Sequence, residues 1–228
     1  MAENNNKIVD EPVVSADALK KAEQYIEEEE GASNKLPGAL GVAVTALAVI
    51  MSVFHLYAAY GIMPTHVLRG VHVAFILFLG YLLFPVTKRF RHRIMWWDWL
   101  AALFSVVIVC NMLFGGDAFL ERAIDPGMWD KILGIALILL VLEAARRTSG
   151  WIMPAICVGF LAYAVAGPHL PPPWTHYGMD TGRIVGHMYM TLEGIFGVAI
   201  DVSSPLIILF TISGAFLQHS GAGHFFTD

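Results

Sequence analysis

The chain has 228 residues, of which 57% are hydrophobic and only 14% charged. Usual shares are about 45–50% and about 25%, so this little charge cannot wet this much apolar surface, which excludes an ordinary water-soluble domain. The net charge of −5 is weighted toward an N-terminal run of Glu27, Glu28, Glu29 and Glu30, a solvated stretch, and no basic stripe points to a nucleic-acid partner.

The first 35 residues are polar, with no apolar stretch behind a basic start, so no secretory signal peptide is expected there. Within them, 15–30 has the pattern of a short surface helix. Ser15 is placed to cap it, Leu19, Ala22 and Ile26 share a face, and Gly31 can stop it. Its acidic C-terminal end opposes the helix dipole and favours fraying.

Apolar segments follow at 36–60, 67–86, 95–114, 132–145, 151–170 and 198–218. A helix needs about 20 such residues to cross a bilayer. The third segment opens on Trp96, Trp97 and Trp99, as at a headgroup boundary. The fourth is short and must recruit Met128 and Trp129. The fifth contains Pro154, tolerable in a membrane helix whose neighbours satisfy the freed carbonyl. Between the fifth and sixth, Pro171, Pro172, Pro173 and Trp174 make a rigid extended connector. Ile184, Val185, Met188, Tyr189, Leu192, Ile195 and Phe196 then recur at helical spacing, with Arg183, His187 and Thr191 opposite. That is an amphipathic helix suited to the membrane interface, or else the beginning of the sixth span. The fold expected is all-α and polytopic, with about six transmembrane helices plus this interfacial helix.

Orientation follows from the loops. Ten of the 14 Lys and Arg residues fall on one side: Lys7, Lys20, Lys21 and Lys35, then Lys88, Arg89, Arg91 and Arg93, then Arg146 and Arg147. Arg69, Arg122, Lys131 and Arg183 fall on the other. The positive-inside rule puts the first side, and with it the N-terminus, in the cytoplasm. The loop 115–130 then faces outward.

Few residues offer chemistry. Cys110 and Cys157 lie in apolar segments without metal-type spacing and are expected as buried thiols. His55 and His72 lie in the first two spans. A haem between them is one reading, and hydrogen-bonded polar groups near span ends is the one preferred, since no paired histidine pattern recurs. Asp98 and Arg69 stand near segment ends and are expected to reach the interface, while Glu143 precedes Arg146 and Arg147 by one turn and should pair with them. Asp201, Ser203 and Ser204, followed by Pro205, are the candidates for substrate or ion binding. Ser204 would cap a helix restarting at Pro205, and a break at membrane depth with oxygen donors resembles the half-helix ends of transporters. The alternative is an ordinary capped helix near the outer surface. No hydrolase elbow, phosphate loop, metal cluster or nucleotide fingerprint appears, so neither enzymatic activity nor a resident cofactor is expected.

From about Trp129 onward a family resemblance enters. Glu143, Ala144, Ala145, Arg146 and Arg147, then Gly150 with Trp151, Phe160 to Tyr163, and Gly167 with Pro168 resemble the permease of tripartite ATP-independent periplasmic (TRAP) transporters. Glu193 to Gly197, Gly214 to Leu217, Ser220 to Gly223, and Phe225 with Phe226 extend the likeness. It is closest to fused permeases that work with binding proteins of the TAXI type, and over the first four spans it is topological only. The resemblance implies uptake of a carboxylate-type solute delivered by a periplasmic TAXI-type binding protein, driven by an ion gradient, usually sodium, without ATP. It implies a cytoplasmic tail (1–35), a four-helix small-subunit-like domain (36–148), and a connector helix, interfacial helix and start of the large-subunit-like transport domain (149–228). Fused permeases continue well beyond this point, so the remainder of the large permease domain is an expected partner, alongside the bilayer of a bacterial inner membrane. The rival expectation is a membrane scaffold without transport activity.

Overall fold

A computed structural model describes Ser15, residues 17–22, Tyr25, Asn34, and residues 36–87 and 94–220. Among these there is no strand. The elements are α1 (Gly38–Tyr60), α2 (Thr65–Leu83), α3 (Trp96–Glu121), α4 (Met128–Ser149), α5 (Ile152–Ala166), the short α6 (Thr181–Val185) and α7 (Val198–His219). Five helices are long and apolar enough to cross a membrane: α1, α2, α3, α5 extended by a 3-10 turn to His169, and α7. The protein is an all-α polytopic membrane protein. α4 has the length, at 22 residues, but carries Asp130 and Lys131 at one end and Glu143, Arg146 and Arg147 at the other. It does begin at Met128 and Trp129, as its short apolar run required. In the tail, residues 17–22 are helical and the Ser15 hydroxyl accepts from the Ala18 amide at 3.2 Å, while most of 23–33 and the loop 88–93 lie outside the described residues.

α3 does not end at 114. It passes through a kink at Gly116 (φ 54°, ψ −146°), a conformation natural to glycine, and gains another turn to Glu121. The loop that follows is correspondingly shorter.

α1 packs on α2, α2 on α3 and α4, and α3 on α4. The core between them is built from Val73, Leu77, Tyr81, Ile108, Val109, Met112, Phe119 and Leu137. α5 packs on α4, whereas α7 leaves its sequence neighbours and packs on α1 and α2. Large side chains point outward along α1, α5 and α7, including Val42, Phe160 and Phe210, as the lipid-facing surfaces of spans do.

Two ion pairs fasten α3 to α4, one at each end. Asp98 Oδ2 accepts from the Met95 amide at 3.0 Å, capping the start of α3, and Oδ1 accepts from Arg147 in the last turn of α4 at 2.7 Å. At the opposite end Asp130 Oδ2 caps the start of α4 through the Gly127 amide at 3.2 Å and accepts from Arg122, just past α3, at 3.1 Å. Each acid also faces the positive end of its helix dipole, and each arginine a negative end. Hydrogen bonding to Asp130 holds the Arg122 guanidinium above its usual pKa. Asp98 therefore does not reach the interface: its side chain and that of Arg147 are 3% and 4% exposed. The expected pairing of Glu143 with both arginines is present, at 2.7 and 2.9 Å.

The same arginines finish α2. Its last carbonyls have no helical partner. Leu82 and Leu83 accept from the Asn34 side chain and amide, Phe84 from Arg147 at 3.2 Å, and Val86 from Arg146 at 3.1 Å. Arg147 also lies over the Tyr81 ring, 4.7 Å from its centroid.

The amphipathic segment after the proline connector is present but ends before the periodic run up to Phe196 does. It runs from Thr181, capped by Asp180, through a π-helical turn Gly186–Met190, and ends at Thr191. Its apolar residues Val185, Tyr189 and Met190 are fully buried against helices rather than offered to lipid. Tyr189 donates to the Ile108 carbonyl at 2.9 Å, and Val185 sits over Gly134 of α4.

Two outcomes follow. Asp98→Asn removes the buried one of the two anions of Arg147, leaving the partly exposed Glu143, and should cost about 1.5–3 kcal/mol, read as a fall in thermal stability in detergent. A Cβ at Gly186 would run into the backbone carbonyl of Ala123, while one at Gly80 meets nothing within 4 Å. Gly186→Ala should lower Tm by roughly 2–10 °C and Gly80→Ala should not lower it. Equal behaviour of the two alanine variants contradicts this packing.

Candidate functional site

The sequence candidates Asp201, Ser203 and Ser204 all lie on α7. The expected break there is not observed. Val202, Ser203 and Ile208 keep helical torsions, and 203–207 form a π-helical turn within a continuous helix. Pro205 has no amide to donate, and its ring would press on the carbonyl of Asp201 in a regular helix. Widening the turn, with the Ile208 amide reaching back to the Ser203 carbonyl, relieves that conflict without ending the helix. Ser204 accordingly caps nothing.

Asp201 Oδ1 receives Nε of Arg69 from α2 at 3.1 Å. Arg69 Nη1 donates to the carbonyls of Phe196 at 2.9 Å and Leu192 at 3.3 Å. Its side chain is 12% exposed and that of Asp201 51%. Arg69 is thus drawn to an acid and two carbonyls of the protein. It ties the start of α7, and the turn before it, to α2.

Ser203 lies next to His72 of α2, Oγ to Nε2 at 3.0 Å. His72 Nδ1 is 2.9 Å from His55 Nε2, and His55 Nδ1 is 2.7 Å from the Met51 carbonyl one turn back on α1. Both rings are buried. The facing nitrogens are at hydrogen-bond distance, closer than the about 4 Å that separates the two axial nitrogens of a bis-histidine haem. Hydrogen bonding between helices is the arrangement found. The rings stand edge to face, 76° apart, beside Phe54.

The Ser204 hydroxyl is 1% exposed and has no hydrogen-bond partner among the described residues. Ser203 and Asp201 have their partners on α2 and so help to hold α7 against it, whereas Ser204 makes no such bond. Sequence reasoning missed this assembly. Arg69, His55 and His72 lie more than a hundred residues before the α7 groups they serve, and only their occurrence inside apolar runs marked them. Cys157 is exposed on α5, not buried as expected, while Cys110 is half-buried on α3.

A bundle of apolar helices joined by buried ion pairs and a histidine chain, with a π turn in its last span, is a multi-pass membrane protein whose polar residues link its helices. Residues 136–228 match the family model described as Tripartite ATP-independent periplasmic transporter, DctM component. Over α4 from Ala136 through α7 the chain is therefore similar to the permease component of these transporters, which are not enzymes. Comparisons with curated proteins and with solved structures give no match.

The adjacent serines give a discriminating outcome. Ser203→Ala leaves His72 Nε2 without a donor and should cost about 1 kcal/mol, whereas Ser204→Ala removes an unpaired buried hydroxyl and should be neutral or stabilising. Thermal melts of the two variants measure both, and a loss at Ser204 equal to that at Ser203 contradicts the assignment.

Proposed function

We propose that this chain is a membrane permease component of a TRAP transporter of the fused, TAXI-associated kind. It takes up carboxylate-type solutes handed over by a periplasmic TAXI-type binding protein and is driven by an ion gradient, with sodium as the coupling ion. It resides in a bacterial inner membrane with its N-terminus in the cytoplasm. Residues 36–148 act as a scaffold and 149–228 begin the transport domain, which works with the remainder of the large permease domain.

The observation that carries this reading is the family match over 136–228. The match begins inside α4 and runs through α7, so a transporter-like segment is bonded directly to α2 through Arg69 and His72. Exposed residues along α5 and α7, among them Phe160, Phe210 and Phe216, suit contact with further helices as well as lipid. The basic residues Arg146 and Arg147 lie at the end from which the basic loop 88–93 emerges, which supports the orientation.

The test is reconstitution with radiolabelled carboxylates. Proteoliposomes holding this chain alone should show no uptake. Adding the rest of the large permease domain and the binding protein should give uptake that needs an inward sodium gradient. Uptake by this chain alone overturns its role as a component. An intact assembly that transports nothing favours the scaffold reading.

A further inference from the structure

The buried chain from Met51 through His55 and His72 to Ser203 has a direction. The Met51 carbonyl can only accept, so His55 Nδ1 carries a proton across that 2.7 Å contact. In a neutral ring His55 Nε2 is then an acceptor, and His72 Nδ1 must donate to it across 2.9 Å. That leaves His72 Nε2 as an acceptor, and Ser203 donates its hydroxyl across 3.0 Å. Both imidazoles are thereby assigned, from the hydrogen-bond pattern, to the Nδ1–H tautomer.

We propose that the His55–His72 pair is a binding site for a single proton, and that Ser203 transmits its occupancy to α7. A proton arriving at His72 Nε2 turns that nitrogen into a donor. The Ser203 oxygen then accepts, and its own proton turns to the Ala199 carbonyl one turn back, a common bond for a helical serine. The proton between the rings can sit on either nitrogen, so the charge spreads over the pair. No hydrogen bond inside the chain is lost. A second proton would set N–H against N–H across the 2.9 Å gap, so the pair takes one. The far end is closed by the Met51 carbonyl, so the chain stores a proton and does not conduct one.

The surroundings permit this. α1 carries, besides His55, only Tyr57 and Tyr60, both exposed. α2 carries Arg69 one turn before His72, with His66 and Tyr81 toward its ends. α7 carries Asp201 two residues before Ser203, and His219 at its far end. On α3, behind α2, Asp98 is held by Arg147, and Asp117 and Glu121 lie near the other end. The nearest charges, Arg69 and Asp201, neutralise each other.

The experiment is 15N spectroscopy of the histidine-labelled full chain in lipid nanodiscs across pH, with His72→Gln and His55→Gln spectra giving the assignments. At mildly alkaline pH both rings should show Nδ1–H with an unprotonated, hydrogen-bonded Nε2. Acidification should add one proton shared by the two rings. Ser203→Ala, which removes an acceptor for the charged form, should weaken proton affinity at least threefold while leaving the pair able to titrate. The Nε2–H tautomer in either ring, two independent protonations, or an unchanged midpoint in Ser203→Ala would each overturn the proposal. The wild-type spectra decide the tautomers even if a variant fails to fold.

Discussion

The contact between Arg147 and Asp98 holds the most together. Among lipid tails, apolar side chains gain nothing by meeting one another rather than lipid, so helix association depends on packing and polar contacts. Arg147 has four partners: Asp98 from α3, Glu143 from its own helix, the Phe84 carbonyl after α2, and the Tyr81 face. One side chain from α4 thus meets both α3 and the end of α2. Asp130 and Arg122 repeat the acid-caps-helix, arginine-from-neighbour arrangement at the opposite end. Two antiparallel helices pinned at both ends cannot slide, and α2 rests on them.

α7 is held differently. It has little apolar core of its own and is attached to α2 by a half-exposed ion pair and a histidine chain. Those bonds cluster around the π turn, where Pro205 has already widened the helix. The strongest fastening therefore joins α3 to the first helix of the matched segment through Arg147, and the more labile one joins α2 to its last helix.

How much of this was legible follows from the range of each signal. Spans are visible because apolar runs are local, and all six segments became helices. Glu143 with Arg146 and Arg147 is visible because helical geometry fixes three- and four-residue neighbours. The burial of Asp98 and Arg69 was not visible. A charge near a segment end looks free to reach water, and only the fold supplies Arg147 and Asp201. The short helix carried the right period, but periodicity does not say whether an apolar face meets lipid or protein. At Pro205 the sequence shows the lost amide, and either a break or a π turn answers it. For the histidines, hydrogen bonding was the correct chemistry, but their joining to each other and to Ser203 needed three helices in place.

Synthesis imposes an order on these bonds. The carbonyls after α2 receive their arginines from 60 and 63 residues later in the chain, and His72 receives Ser203 from 131 residues later. At about 5–20 residues per second, His72 waits on the order of ten seconds at the ribosome for its serine. During that interval the first two helices sit in the bilayer with open polar groups. They close first when α4 arrives with its arginines, then when α7 is released. Assembly thus has a built-in sequence, in which the scaffold is complete before the last helix can lock onto it.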